Sequence, residues 1–123
     1  MTNQSGREDG AREALMKYLM LHYLDEAVSA ILPEDTVLDA WVTQAERSGV
    51  KVDGGRLRPV SDATTVRVRG GEVLVTDGPY AETKEQIAGF DVIECAGRDE
   101  AIEIAAGHPT AKVGTFELRP FWI

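Results

Sequence analysis

Cysteine, histidine and aromatic side chains are all scarce in this chain. The single cysteine, Cys95, can form neither an internal disulfide nor a multi-cysteine zinc site. That fits a reducing compartment, and a cytoplasmic location is expected. Cys95 stands in the apolar stretch VIECA, which suits an inert buried thiol better than a nucleophile, because a nucleophile needs an accessible, electropositive setting. No run approaches the ~20 apolar residues of a membrane span, and the opening MTNQSGREDGARE has no apolar signal core. There is no GxGxxG after a strand, no GxxxxGK(S/T), no GxSxG and no HExxH, which argues against nucleotide-loop enzymes, serine hydrolases and zincins. Positive charge is in deficit, with 13 Lys and Arg against 21 Asp and Glu, for a net charge of −8. Such a surface repels phosphate backbones and anionic lipid, so neither nucleic acid nor a membrane is an expected partner.

What remains has the balance of one domain. The 123 residues are 43% apolar and 28% charged, enough for one core and too few for two. Residues 1–14 read as a polar, frayed tail and 15–123 as a single domain. LMKYLMLHY (15–23) reads as a strand with Tyr18, Met20 and His22 on one side and Leu19, Leu21 and Tyr23 on the other. Both sides are apolar. Helices can cover one; for so short a chain, a second copy is the economical cover for the other. Residues 24–32 form a connection.

Residues 33–48 read as a helix, with Pro33 at its first position and Val37, Leu38, Trp41, Val42 and Ala45 as its apolar stripe. Gly49 can cap it in the left-handed conformation. Residues 50–63 are looser, a short strand fragment and a loop. TTVRVR (64–69), Gly70-Gly71 and EVLVT (72–76) make a hairpin, with Arg67 and Arg69 on its polar side. AGFDVIECA (88–96) is a further strand, with Phe90 and Val92 against Ile93 and Cys95. RDEAIEIAA (98–106) is a helix burying Ala101, Ile102, Ala105 and Ala106. GTFELRPFWI (114–123) closes the chain as a strand, with Phe116 and Leu118 pointing in and Pro120 marking an edge or an end. The order predicts an α+β fold, a ferredoxin-like antiparallel sheet with two helices on one face and an extra hairpin.

Asp77-Gly78-Pro79-Tyr80 is the most distinctive local feature. Asp can bond the amides ahead of it, Gly relaxes φ and Pro fixes it, so Gly78 and Pro79 define a sharp structural turn. Glu82, Lys84 and Glu85 follow. A phenol, carboxylates and an ammonium on one turn could bind a small ligand or move protons, with Asp77 a candidate catalytic group and Tyr80, Glu82 and Lys84 candidate ligand contacts. Surface Glu–Lys pairing on a purely structural turn is the alternative. His22 is the other candidate catalytic group, since a histidine suits proton transfer near neutral pH. If Asp77 spends its carboxylate on local amides, His22 is the better base, provided that it opens to the cavity rather than to the helix-packed face. His108, before Pro109 in a helix-to-strand loop, is expected to be exposed. Two isolated histidines without a spaced acidic partner make a weak metal site, so no metal is expected, nor any other cofactor.

TTVRVRGGEVLVTDGPYAETKEQIAGFDVIE (64–94), with MKYLMLHYLDEA (16–27) and GTFELRP (114–120), resembles the DGPF branch of the YCII-related protein family. The chain departs from that pattern in having Tyr80 for Phe, Ala88 for Gly and Asp91 for an aromatic. The resemblance implies the dimeric α+β barrel type, in which two sheets face each other, and therefore a homodimer. In the wider group it also implies a catalytic histidine–aspartate pair, although His22 lies outside the matched DGPF motif. Members resemble proteins found beside extracytoplasmic-function sigma factors, which makes a sigma factor a candidate partner. Three functional readings follow. One is a pocket beside the DGPY turn for a small-molecule ligand or cofactor-independent acid/base chemistry; the second is a non-catalytic regulatory module that binds a partner protein; the third is a structural dimer whose loop only shapes the fold.

Overall fold

Alternation along MKYLMLHYLD produces β1 (Met16–Asp25), the strand around which the molecule is built. The structure, a computed structural model, describes residues 15–122. The expected tail, 1–14, lies outside the described residues. A 3-10 turn over Glu26–Ile31 follows β1 and leads to helix α1 (Asp35–Arg47). Pro33 stands before the helix rather than in its first turn, and the Glu34 carbonyl accepts the first bonds, from the amides of Val37 and Leu38. Gly49 takes the expected left-handed conformation, with φ of 80°, and donates to the Glu46 carbonyl.

The segment read as loose contains β2 (Lys51–Arg56), a full edge strand. Strands β3 (Thr64–Arg69) and β4 (Glu72–Asp77) form the predicted hairpin as a separate two-stranded sheet. Then come β5 (Glu85–Cys95), helix α2 (Arg98–Gly107), a 3-10 turn over Pro109–Lys112 and β6 (Thr115–Pro120). The main sheet has the order β2-β5-β1-β6, with every neighbouring pair antiparallel. This is the ferredoxin-like α+β arrangement that the order of elements predicted. Pro120 ends β6, an edge strand, where its missing N–H costs no ladder bond.

The two faces of the sheet differ. Tyr18, Met20, Asp91, Ile93 and Cys95 share one face by strand alternation, and all are buried. Ala101 of α2 packs into this cluster with Ile104 and Leu118. The opposite face carries Leu19, Leu21, Tyr23, Phe90 and Val92, none of them fully buried. Cys95 is the expected buried thiol.

The reading of α2 needs one correction. Ala101 and Ala105 are buried, but Ile102 is 43% exposed and Ala106 also faces outward. The buried stripe is 101, 104, 105 and 108, the spacing of one helix face. It carries past the last turn to His108, which is 6% exposed. The expectation that His108 is exposed therefore fails: a 3-10 turn begins at Pro109, and the ring packs against His22, Trp41 and Phe116. Among the described residues no helix is long and apolar enough to cross a membrane.

Candidate functional site

Register places His22 in the middle of the sheet. It pairs with Gly89 of β5 on one side and with Phe116 of β6 on the other. Gly89 has no side chain, so the imidazole can lean over β5; a Cβ there would lie 3.5 Å from His22 Nδ1. Phe116 stacks on the ring, with centroids 4.4 Å apart and planes 6° from parallel. The side chain keeps 14% of its surface exposed.

Asp91 pairs with Met20 and so shares the His22 face. His22 Nε2 lies 2.8 Å from Asp91 Oδ2. The distance is that of a hydrogen bond, but the alignment is not, and both atoms are buried without a hydrogen-bond partner among the described residues. The other carboxylate oxygen, Oδ1, lies 3.5 Å from the ammonium of Lys51, a side chain only 9% exposed. Lys51 also reaches Glu46 of α1 at 3.9 Å. Gly54 makes this packing feasible. A Cβ there would stand 2.5 Å from Asp91 Oδ1 and 2.6 Å from the Phe90 carbonyl, so β2 can cross Asp91 only with glycine at that position. A buried carboxylate is costly unless it is paired, and here one cation and one imidazole surround it.

His108 completes the cluster. Its ring meets His22 edge-on at 4.8 Å, Trp41 at 4.5 Å and Phe116 at 4.9 Å. Its Nδ1 accepts the Thr110 amide at 3.0 Å, capping the 3-10 turn. Burial, and then the neighbouring His22, lower its pKa from 6.5 to about 4, against a smaller upward pull from Asp91. Trp41 thus contributes to the wall of the site as well as to the helix stripe. One candidate ligand atom each from His22, Asp91 and His108 lies within 4.8 Å of the others. The histidines are therefore not isolated, and the premise of the metal-free expectation is corrected: Asp91, distant in sequence, is their acidic partner. A metal at His108 would nevertheless need a ligating nitrogen with a lone pair while the other nitrogen donates outward. Thr110 presents a donor to Nδ1, which opposes that tautomer.

The turn stands apart from this cluster. Gly78 has the positive φ expected of it, 101°, and its amide donates to the Ala63 carbonyl at 2.7 Å. Thr65 donates to the Gly78 carbonyl, tying the turn to β3. Asp77 is exposed, and its carboxylate makes no hydrogen bond among the described residues. Tyr80 is 76% exposed, with the Arg67 guanidinium 5.1 Å from its ring centroid. Glu82 and Lys84 line an open groove of about 510 Å³ with Gly78 and Pro79. Lys84 also lies 3.8 Å from Asp25. Asp77 and Tyr80 do not line that groove, and Asp77 is not among the groups that contact His22. A second concavity, about 600 Å³, lies along β6 between Tyr23, Glu85 and Phe116. There Tyr23 donates to Glu117 at 2.8 Å, and this bond to a carboxylate, with burial, raises the phenol pKa.

Asp91 and His108 are the members that sequence reasoning passed over. The signal for Asp91 was the period of β5: it shares the inward parity of Ile93 and Cys95 and is an acid in an otherwise apolar row. The signal for His108 was its position seven residues after Ala101.

The chain matches the YCII-related domain over residues 6–122. It is 38% identical over 113 residues to an uncharacterised protein of Rhizobium meliloti (strain 1021), a span covering 85% of this chain and 91% of that protein. The chain accordingly belongs to the YCII-related domain family.

Proposed function

We propose that this protein binds a small molecule and performs cofactor-independent acid/base chemistry, with His22 as the base. The observation that carries this reading is the 2.8 Å approach of His22 Nε2 to Asp91 Oδ2, two buried atoms with no hydrogen-bond partner elsewhere among the described residues. A carboxylate at Nε2 favours the proton on that nitrogen, leaves the Nδ1 lone pair for the substrate and stabilises the imidazolium formed on proton uptake. Lys51 balances the carboxylate from its other side. Gly78 and Pro79 border a separate groove, in which Glu82 and Lys84 are candidate contacts for a ligand bound there.

We further propose that the protein works as a homodimer whose copies bring their uncovered sheet faces together. The half-buried Leu19, Leu21, Phe90 and Val92 support this. A regulatory module docking on a sigma factor has no comparable feature in its favour.

The test is a thermal-shift screen of small carbonyl acids, followed by NMR of each hit in D2O. Specific binding raises the melting temperature by mass action, and proton abstraction replaces a carbon-bound proton with deuterium. Exchange should vanish in His22→Gln and slow in Asp91→Asn. Exchange or binding that is indifferent to His22 overturns the reading.

A further inference from the structure

His108 has no part in the chemistry described so far, yet its tautomer is fixed by the fold. A neutral imidazole has one donor nitrogen and one acceptor nitrogen. Nδ1 faces the Thr110 N–H at 3.0 Å, so Nδ1 carries the lone pair and Nε2 carries the proton. The ring is buried among Trp41, His22 and Phe116. We propose that His108 is an uncharged hydrogen-bond donor to the substrate, and that the substrate is a small compound with an acidic C–H beside a carbonyl oxygen. This rests on His22 being the base.

Two lines support the proposal. The surroundings of the two histidines differ: Asp91 Oδ2 lies 2.8 Å from His22 Nε2, whereas His108, although the Asp91 carboxylate is also within 4.8 Å of one of its nitrogens, packs against three rings and accepts the Thr110 amide at Nδ1. Two neighbouring histidines held in different surroundings can divide the roles of base and donor. In addition, His22 becomes positive as it takes a proton, and a second cation with its ring centre 4.8 Å away would oppose that step. A neutral His108 does not, and its lowered pKa of about 4 keeps it neutral at pH 7.

The step conserves atoms and electrons. His22 Nδ1 takes the proton from carbon. The C–H electron pair becomes a carbon–carbon double bond, and the carbonyl π pair moves onto oxygen, where the His108 N–H stabilises it. Return of the oxygen pair re-forms the carbonyl and delivers the proton to the same carbon, so no oxidant, reductant or metal is consumed.

The chain contains only two histidines, which makes the test direct. Full-length protein labelled with 15N-histidine, treated with EDTA at pH 7, should show His108 with a bare Nδ1 and a protonated Nε2. Acetohydroxamate, a mimic of the enediol, should move the His108 Nε2–H signal. Its dissociation constant should rise about tenfold in His108→Phe and recover to within about threefold in His108→Gln, which keeps an N–H donor. A proton on Nδ1, or a charged ring, overturns the proposal without any variant having to fold. So does one equivalent of Zn²⁺ shifting both rings where acetohydroxamate does not. If acetohydroxamate moves His22 and binds His108→Phe as tightly as the parent, His108 is no donor and His22 stands. If it moves neither ring, both readings fall.

Discussion

The surroundings of His108 that keep it neutral also set an acid limit on the fold. Its folded pKa of about 4 lies below the ordinary value of 6.5. Between those two values the unfolded chain binds more protons than the folded one, so stability rises with pH across that window. The contribution is full above pH 6.5 and is lost as the pH falls towards about 4. From the size of the shift, the loss is on the order of 2–3 kcal/mol. Urea unfolding at pH 7, 5.5 and 4.5 should show this slope, and His108→Gln should flatten it, because glutamine does not titrate. An equal slope in both proteins would assign the acid sensitivity to other groups. At this scale the site was half legible in the sequence. His22 stood out as the histidine within a strand. Asp91 was visible as an acid in the inward row of β5 and as a departure from a family pattern, but its meeting with His22 depends on register with β1, which a single strand does not encode.

Turn chemistry and strand alternation were the readable features at the level of elements. The Gly78 φ of 101° and the Ala63 bond follow from Asp-Gly-Pro. The hairpin, α1 and β5 follow from their periods. β2 was harder to see, because Gly54 and Gly55 read as a loop. Gly54 is there because a side chain would collide with the Asp91 carboxylate, a tertiary cause with no local signature. The α2 stripe was right at Ala101 and Ala105 but took Ile102 and Ala106 in place of Ile104 and His108, which hid its continuation. The turn offers the clean test. A Cβ on Gly78 meets nothing within 4 Å, so a substitution there costs only backbone strain. Gly78→Val should destabilise the fold by ~1–3 kcal/mol and lower the melting midpoint. An unchanged midpoint would show that the loop readjusts to negative φ without loss, and the turn would then be no rigid border for the groove.

At the scale of the whole molecule, the described residues leave two apolar surfaces uncovered. One is the sheet face opposite the helices, where Leu19 lies across from Val92 and Leu21 from Phe90. The other belongs to the hairpin. Val66 pairs with Val75 and Val68 with Val73, so four valines share one side of a two-stranded ribbon. Val66 and Val68 are 58% exposed, and Val73 and Val75 are 63% exposed. A ribbon of two strands is marginal in water without packing, and the proposed second copy would supply that packing for both surfaces at once. A stable dimer should bury more than ~1,000 Å² in total. Charge gives the expectation its sign. Each copy carries −8, so the copies repel at long range while the apolar faces attract at contact. Salt screens the repulsion and leaves apolar burial intact. Light scattering at micromolar concentration should therefore give twice the chain mass, and raising NaCl from about 50 to about 500 mM should tighten the dimer. A monomer at the higher salt would mean that these faces stay wet, and the paired-sheet architecture would fall with it.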